Sequence, residues 1–155
     1  MLSSTGPTVR GMTDSALPVP HRLASIRLIT DDVAGLAGFY EQVTGTPVRW
    51  STPDFAELPT PGGTLAIGST RTVALFAPGS ARPAANSSAI IEFLVEDVDA
   101  EHARLRDVVP IFVTEPTTMP WGNRSLLFRD PDGNLVNLFS PVSDAATEKV
   151  RRHPR

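Results

Sequence analysis

Few side chains in this sequence are equipped for covalent or metal chemistry. There is no cysteine, so thiolate nucleophiles, disulfides and Cys-ligated metals are excluded. The three histidines, His21, His102 and His153, are scattered along the chain. No phosphate loop, nucleophile elbow or Cys/His dyad is present, and GGTLAIGS lacks the spacing and the helix of a dinucleotide fingerprint. What remains is polar and aromatic. Trp50 and Trp121 offer flat surfaces on which a ligand can stack. Asn137 follows the turn Asp130-Pro131-Asp132-Gly133-Asn134 and carries an amide that both donates and accepts. The turn itself is structural: Gly133 suits a positive φ, and the Asp and Asn side chains cap a tight hairpin.

The elements that must hold these residues come in two copies. LASIRLITDDVAGLAGFY (23–40) matches NSSAIIEFLVEDVDAEHARL (86–105) at an offset of 65, which takes Arg27 onto Glu92 and Asp32 onto Asp97. Each copy reads as an apolar strand, an Asp-Val pair and a helix, with the Asp placed to accept N–H groups of the first helical turn. Val33, Leu36, Phe39, Tyr40 and Val43 fall at helical spacing, with Val98, His102 and Leu105 a weaker counterpart. Three short strands follow each helix. In the first copy they are PVRWS, DFAEL and TLAIGS. In the second they are PIFVTE, RSLLFRD and LVNLFSP, with a TTMPWGN loop after the first. TVALF reads equally as strand or helical turn.

The expected fold is therefore α+β: two pseudo-twofold-related βαβββ modules forming an eight-stranded concave sheet around a cleft. Module 1 spans 22–76, a Pro/Ser/Ala-rich linker 77–88 and module 2 89–142. Residues 1–21 are expected to be a flexible leader without the apolar stretch of a signal peptide, and 143–155 a flexible tail. A net charge of −3 argues against nucleic acid, no stretch is apolar enough for a membrane span, and a cytoplasmic location is expected.

The paired strand-Asp-Val-helix segments, Phe39-Tyr40 and DPDGNLVNLFSP (130–141) together resemble the vicinal oxygen chelate superfamily of glyoxalases, bleomycin-resistance proteins and extradiol dioxygenases. The resemblance covers about 22–142. It implies a divalent metal held by side chains on the first and last strand of each module. Those four places fall here on Ser25, Ala66, Ile90 and Asn137, none of them a His or a carboxylate. No metal and no cofactor are expected.

If the ligand-equivalent places point inward, strand alternation turns Arg27 and Glu92 into the same cleft. They are expected to pair across the module junction, either as a structural ion pair or to orient a polar ligand. Glu92 is a candidate general base if burial raises its pKa. Ser25, Arg27, Trp50, Phe55, Ala66, Ile90, Glu92, Met119, Trp121, Arg124 and Asn137 are the candidate ligand-binding residues. For Trp121, packing under its own loop is the competing reading, and for Arg124, capping that loop.

The absence of ligands at those four places, with the resemblance to drug-sequestering resistance proteins, leads to the expectation of a metal-independent small-molecule-binding protein, its ligand small, organic and aromatic or antibiotic-like. The alternatives are a lyase, isomerase or dioxygenase, metal-dependent through unusual ligands or metal-free through Glu92, and an interaction module with a filled cleft. The resemblance also implies a homodimer, with modules paired within one chain or exchanged between two.

Overall fold

In a computed structural model, residue 6 and residues 19–152 are described. The leader expected over 1–21 lies almost wholly outside the described residues, as does His153. Both modules begin as read. Strand β1 (Ser25–Thr30) leads into helix α1 (Val33–Thr44), whose first turn is capped by Asp32: its Oδ1 accepts the Gly35 N–H at 2.9 Å. Gly45 ends the helix at φ 69°, a left-handed conformation that glycine adopts without steric cost. Strands β2 (Arg49–Thr52), β3 (Phe55–Thr60) and β4 (Gly63–Ser69) complete the module. TVALF resolves as helical: α2 spans Thr70–Ala74.

Module 2 repeats the plan with β5 (Ile90–Leu94), α3 (Val98–Arg104), β6 (Thr117–Thr118), β7 (Asn123–Arg129) and β8 (Leu135–Pro141). Asp97 caps α3 as Asp32 caps α1, accepting the Ala100 N–H at 3.0 Å. One strand is displaced from its expected place. PIFVTE makes only a single bridge, Phe112 to Phe128, and the ladder instead involves Thr117 and Thr118. Pro110 and Pro116 bracket the segment and remove two donors, and the N–H groups of Val113 and Thr114 converge on one carbonyl, that of Leu127. The expected tail is also different. Residues Asp144–Arg151 form helix α4, capped by the Ser143 hydroxyl, with Ala146 buried.

The eight strands form two mixed sheets of four, ordered β1-β4-β3-β2 and β5-β8-β7-β6. Within each, the first strand runs parallel to the last and the other pairs are antiparallel. No ladder joins β1 to β5.

The helix-covered faces of the two sheets share one core instead. Leu36, Phe39, Tyr40 and Val43 of α1 lie in the same cluster as Leu58 and Ile67 of module 1 and Leu126, Phe128, Val136 and Leu138 of module 2. Phe39 meets Phe128 edge-on, with centroids 6.3 Å apart. Across the same junction, Arg104 of α3 donates to the carbonyls of Gln42 and Val43 at 2.8 and 2.6 Å, satisfying acceptors that the end of α1 leaves open. The phenol of the fully buried Tyr40 donates to Asp130 at 2.7 Å, tying α1 to the β7–β8 turn. Asp130 also accepts the N–H groups of Asp132 and Asn134, so one carboxylate both shapes the turn and docks the modules.

Candidate functional site

The α1- and α3-covered faces are buried together, which leaves the two opposite faces, of which module 1's carries α2 at one end, with Thr72 close over Gly68. On module 2, strand register sets Glu92 opposite Asn137, and Asn137 opposite Leu127. The Asn137 Nδ2 donates to Glu92 Oε2 at 2.8 Å. Asn137 is 9% exposed, and its Oδ1 is buried with no hydrogen-bond donor. Glu92 is exposed, as are Ile90 and Leu94 on either side of it at 50% and 54%. An anionic acceptor thus stands on an apolar strand, held in orientation by an amide.

On module 1, the corresponding row runs Arg27, Ala66, Glu57 and Arg49 across β1, β4, β3 and β2. The Arg27 guanidinium lies 5.0 Å from the Phe55 ring centroid and 5.7 Å from that of Phe76. Such contacts hold the cation by the negative faces of the rings and leave its in-plane N–H groups outward. Arg27 lines a cleft of about 390 Å³ with Ile29, Arg82, Asn86 and Asn134. A second, of about 470 Å³, lies at the β3–β4 turn beside Arg22 and Leu23. Neither includes Glu92 or Asn137, so within one chain the two polar patches share neither of these clefts.

Several expected site residues therefore part company. Arg27 and Glu92 do not pair within the chain: Arg27 is taken up by aromatic rings, Glu92 by Asn137, and their strands are not neighbours. Arg124 shares its face of β7 with the buried Leu126 and Phe128 and so lies on the α3 side, where it grips Asp99 at 2.6 and 2.8 Å. That hydrogen bond holds the Asp99 carboxyl below the usual range. Trp50 pairs in register with Ala56, a core residue, and so lies on the helix-covered side, half-exposed. Trp121 does not pack under its loop. It is 64% exposed on a turn closed by the Gly122 N–H on the Met119 carbonyl. Met119 is half-buried in that turn. His102 is partly covered, its ring edge-on to Phe112 at 4.9 Å. Phe55 does lie on the face opposite α1, beneath Arg27. The residue that the sequence did not single out is Phe76, and the only hint was an aromatic just beyond a segment of undecided structure.

The four places where the resemblance puts metal ligands are a poor donor set. Ser25 is exposed, Ala66 is buried, Ile90 is apolar and the Asn137 amide is engaged by Glu92. Among the described residues no three His, Cys, Asp or Glu side chains are grouped to hold a metal ion. One hydroxyl, one amide and two hydrocarbon side chains do not fit a divalent cation that prefers imidazole and carboxylate.

The profile of the Glyoxalase/Bleomycin resistance protein/Dioxygenase superfamily matches residues 22–138, and the chain belongs to that superfamily. Among its relatives is the uncharacterized protein YraH of Bacillus subtilis (strain 168), 27% identical over 124 residues, 76% of this chain and 97% of that protein. Among the solved structures that share the fold are the following two. A glyoxalase/bleomycin resistance protein/dioxygenase from Nocardioides aligns with a TM-score of 0.67 at 22% identity, covering 84% of this chain and 89% of that one. A glyoxalase/bleomycin resistance protein/dioxygenase family enzyme from Burkholderia phytofirmans PsJN aligns at 0.69 and 18%, covering 79% and 100%. Among the described residues no helix is long and apolar enough to cross a membrane.

Proposed function

We propose that this chain is a metal-independent small-molecule-binding member of its superfamily and works as a homodimer. The observation that carries the reading is the Asn137–Glu92 pair. At the place where the family resemblance expects a metal-binding carboxylate, an amide holds a neighbouring carboxylate instead. The surface around it suits an organic ligand with a polar group: Glu92 accepts, while Ile90, Leu94, Leu127 and Phe139 supply apolar area. The dimer is supported by the free outer edges of β1 and β5 and by the exposed Ile26, Ile90 and Leu94 along them, a combination that invites a second chain.

A metal-free isomerase is the second reading. It rests on the same hydrogen bond, which leaves the other Glu92 oxygen open to a substrate proton. Elemental analysis of protein purified without chelator, before and after incubation with nickel, manganese, iron or zinc, tests the metal-independent reading. The expected result is metal far below one equivalent after dialysis. Near-stoichiometric retention overturns it. Light scattering with size-exclusion chromatography tests the assembly, and a monomer at all concentrations overturns that part.

A further inference from the structure

We propose that the cleft between β1 and the linker at 79–86 binds a small organic anion, whose carboxylate or phosphate group is held by the guanidinium groups of Arg27 and Arg82. The site lies apart from the Glu92–Asn137 surface and does not rest on the function proposed above. Its volume of about 390 Å³ falls within the range of small-molecule sites. Among the described residues these two arginines are the only charged side chains that line it, and no carboxylate in its wall neutralises them.

The walls of the cleft are fixed by contacts of their own. The Arg27 guanidinium is held 5.0 and 5.7 Å from the ring centroids of Phe55 and Phe76, yet among the described residues its N–H groups meet no acceptor. Arg82 is exposed on the linker and makes no hydrogen bond or ion pair among the described residues. Gly79 at φ 77° and Ala84 at φ 52° are left-handed on either side of it, so the linker turns sharply twice there. Ala84 bears that conformation at a cost, since it carries a Cβ. Beyond the second bend, Asn86 Nδ2 donates to Asn134 Oδ1 at 3.0 Å, which pins the linker to the β7–β8 turn. An oxyanion supplies what both arginines lack, acceptors matched to planar forks of N–H donors. Ile29 and the linker alanines give apolar wall for the rest of the molecule. Two cations in one cleft of a chain with net charge −3 suit a single acidic group, not a polyanion such as nucleic acid.

The test is titration of the full chain at low salt with phenyl phosphate and with benzoate, and with benzyl alcohol as the neutral control, read by calorimetry and by backbone amide shifts in NMR. At least one of the two anions should bind, one per chain, with its largest shifts at 27–29 and 79–86. Benzyl alcohol should bind more weakly by about tenfold or more. Arg27→Gln and Arg82→Gln should each raise the anion's dissociation constant by about tenfold or more. Arg106→Gln, the same charge change on an exposed arginine just after α3, should leave it unchanged. Far-UV dichroism checks folding. If Arg27→Gln fails to fold, Arg82→Gln carries the test, because Arg82 makes no hydrogen bond or ion pair that the fold depends on among the described residues. Anions that bind no better than the alcohol overturn the site. So does an affinity indifferent to Arg82→Gln, or one weakened as much by Arg106→Gln. Shifts centred on Glu92 and Asn137 instead overturn it by placing the anion on the other surface.

Discussion

Tyr40 is the only tyrosine in the chain and is fully buried. Burial, and then the adjacent Asp130 carboxylate, push its phenol well above the ordinary range, so it remains a donor to Asp130. Because the folded value is raised, the stabilisation is complete below the unfolded tyrosine value of about 10 and is lost as pH climbs beyond it, by roughly 1.4 kcal/mol per pH unit. Tyrosinate absorbance should therefore appear only as the protein unfolds. Tyr40→Phe should remove this alkaline sensitivity and cost about 1–2 kcal/mol in denaturant titrations at neutral pH, since Asp130 keeps its Asn134 donors. A second prediction concerns Asn137→Glu. Restoring a carboxylate there should not confer tight zinc or manganese binding by calorimetry, because Ser25, Ala66 and Ile90 still offer at most one hydroxyl. Tight binding would show that the ligand places have been misassigned.

Helix starts were legible because they depend on a single side chain. Asp32 and Asp97 do what a carboxylate before an apolar-periodic run does, and replacing either with Ala should cost about 1 kcal/mol in thermal or denaturant unfolding. An unchanged midpoint in Asp32→Ala would mean that tertiary packing alone holds α1. Helix α4 was missed because DAATEKVR buries only one side chain, Ala146, and its signal reduces to the Ser143 cap. The strand expected at 110–115 was misplaced for a different reason. Ile111, Phe112 and Val113 have strand-forming side chains, but a ladder needs a partner with free groups, and here only Phe112 and Phe128 bridge. The polar Thr117-Thr118 lacks an apolar signal yet pairs with β7. Strand alternation on β7 decided the fate of Arg124, and it was readable. What the sequence did not show is which face of that strand α3 covers.

At the scale of the molecule, the repeat revealed two modules but not how they meet. Periodicity reports which face of each element is apolar, and it is silent on whether two such faces belong to one chain's core or to separate layers. The structure merges them, with Phe39 against Phe128 and Arg104 on the end of α1. A shared core predicts shared unfolding. Far-UV dichroism and tryptophan fluorescence should report one coincident transition, and residues 1–88 expressed alone should lack a cooperative transition. Two separated transitions would show that the modules are independently stable.

The Tyr40–Asp130 hydrogen bond spans 90 residues of sequence. A ribosome making this chain delivers α1 long before the carboxylate that completes its burial. Until then the first module presents to the cell its bare sheet edge and the part of α1 that later meets module 2, Phe39 and Tyr40 among it. Docking of the newly made hairpin is thus a late, non-local step with a correspondingly slow approach to the native state. That interval, rather than any weakness of the finished fold, is when the growing chain most needs protection from its neighbours.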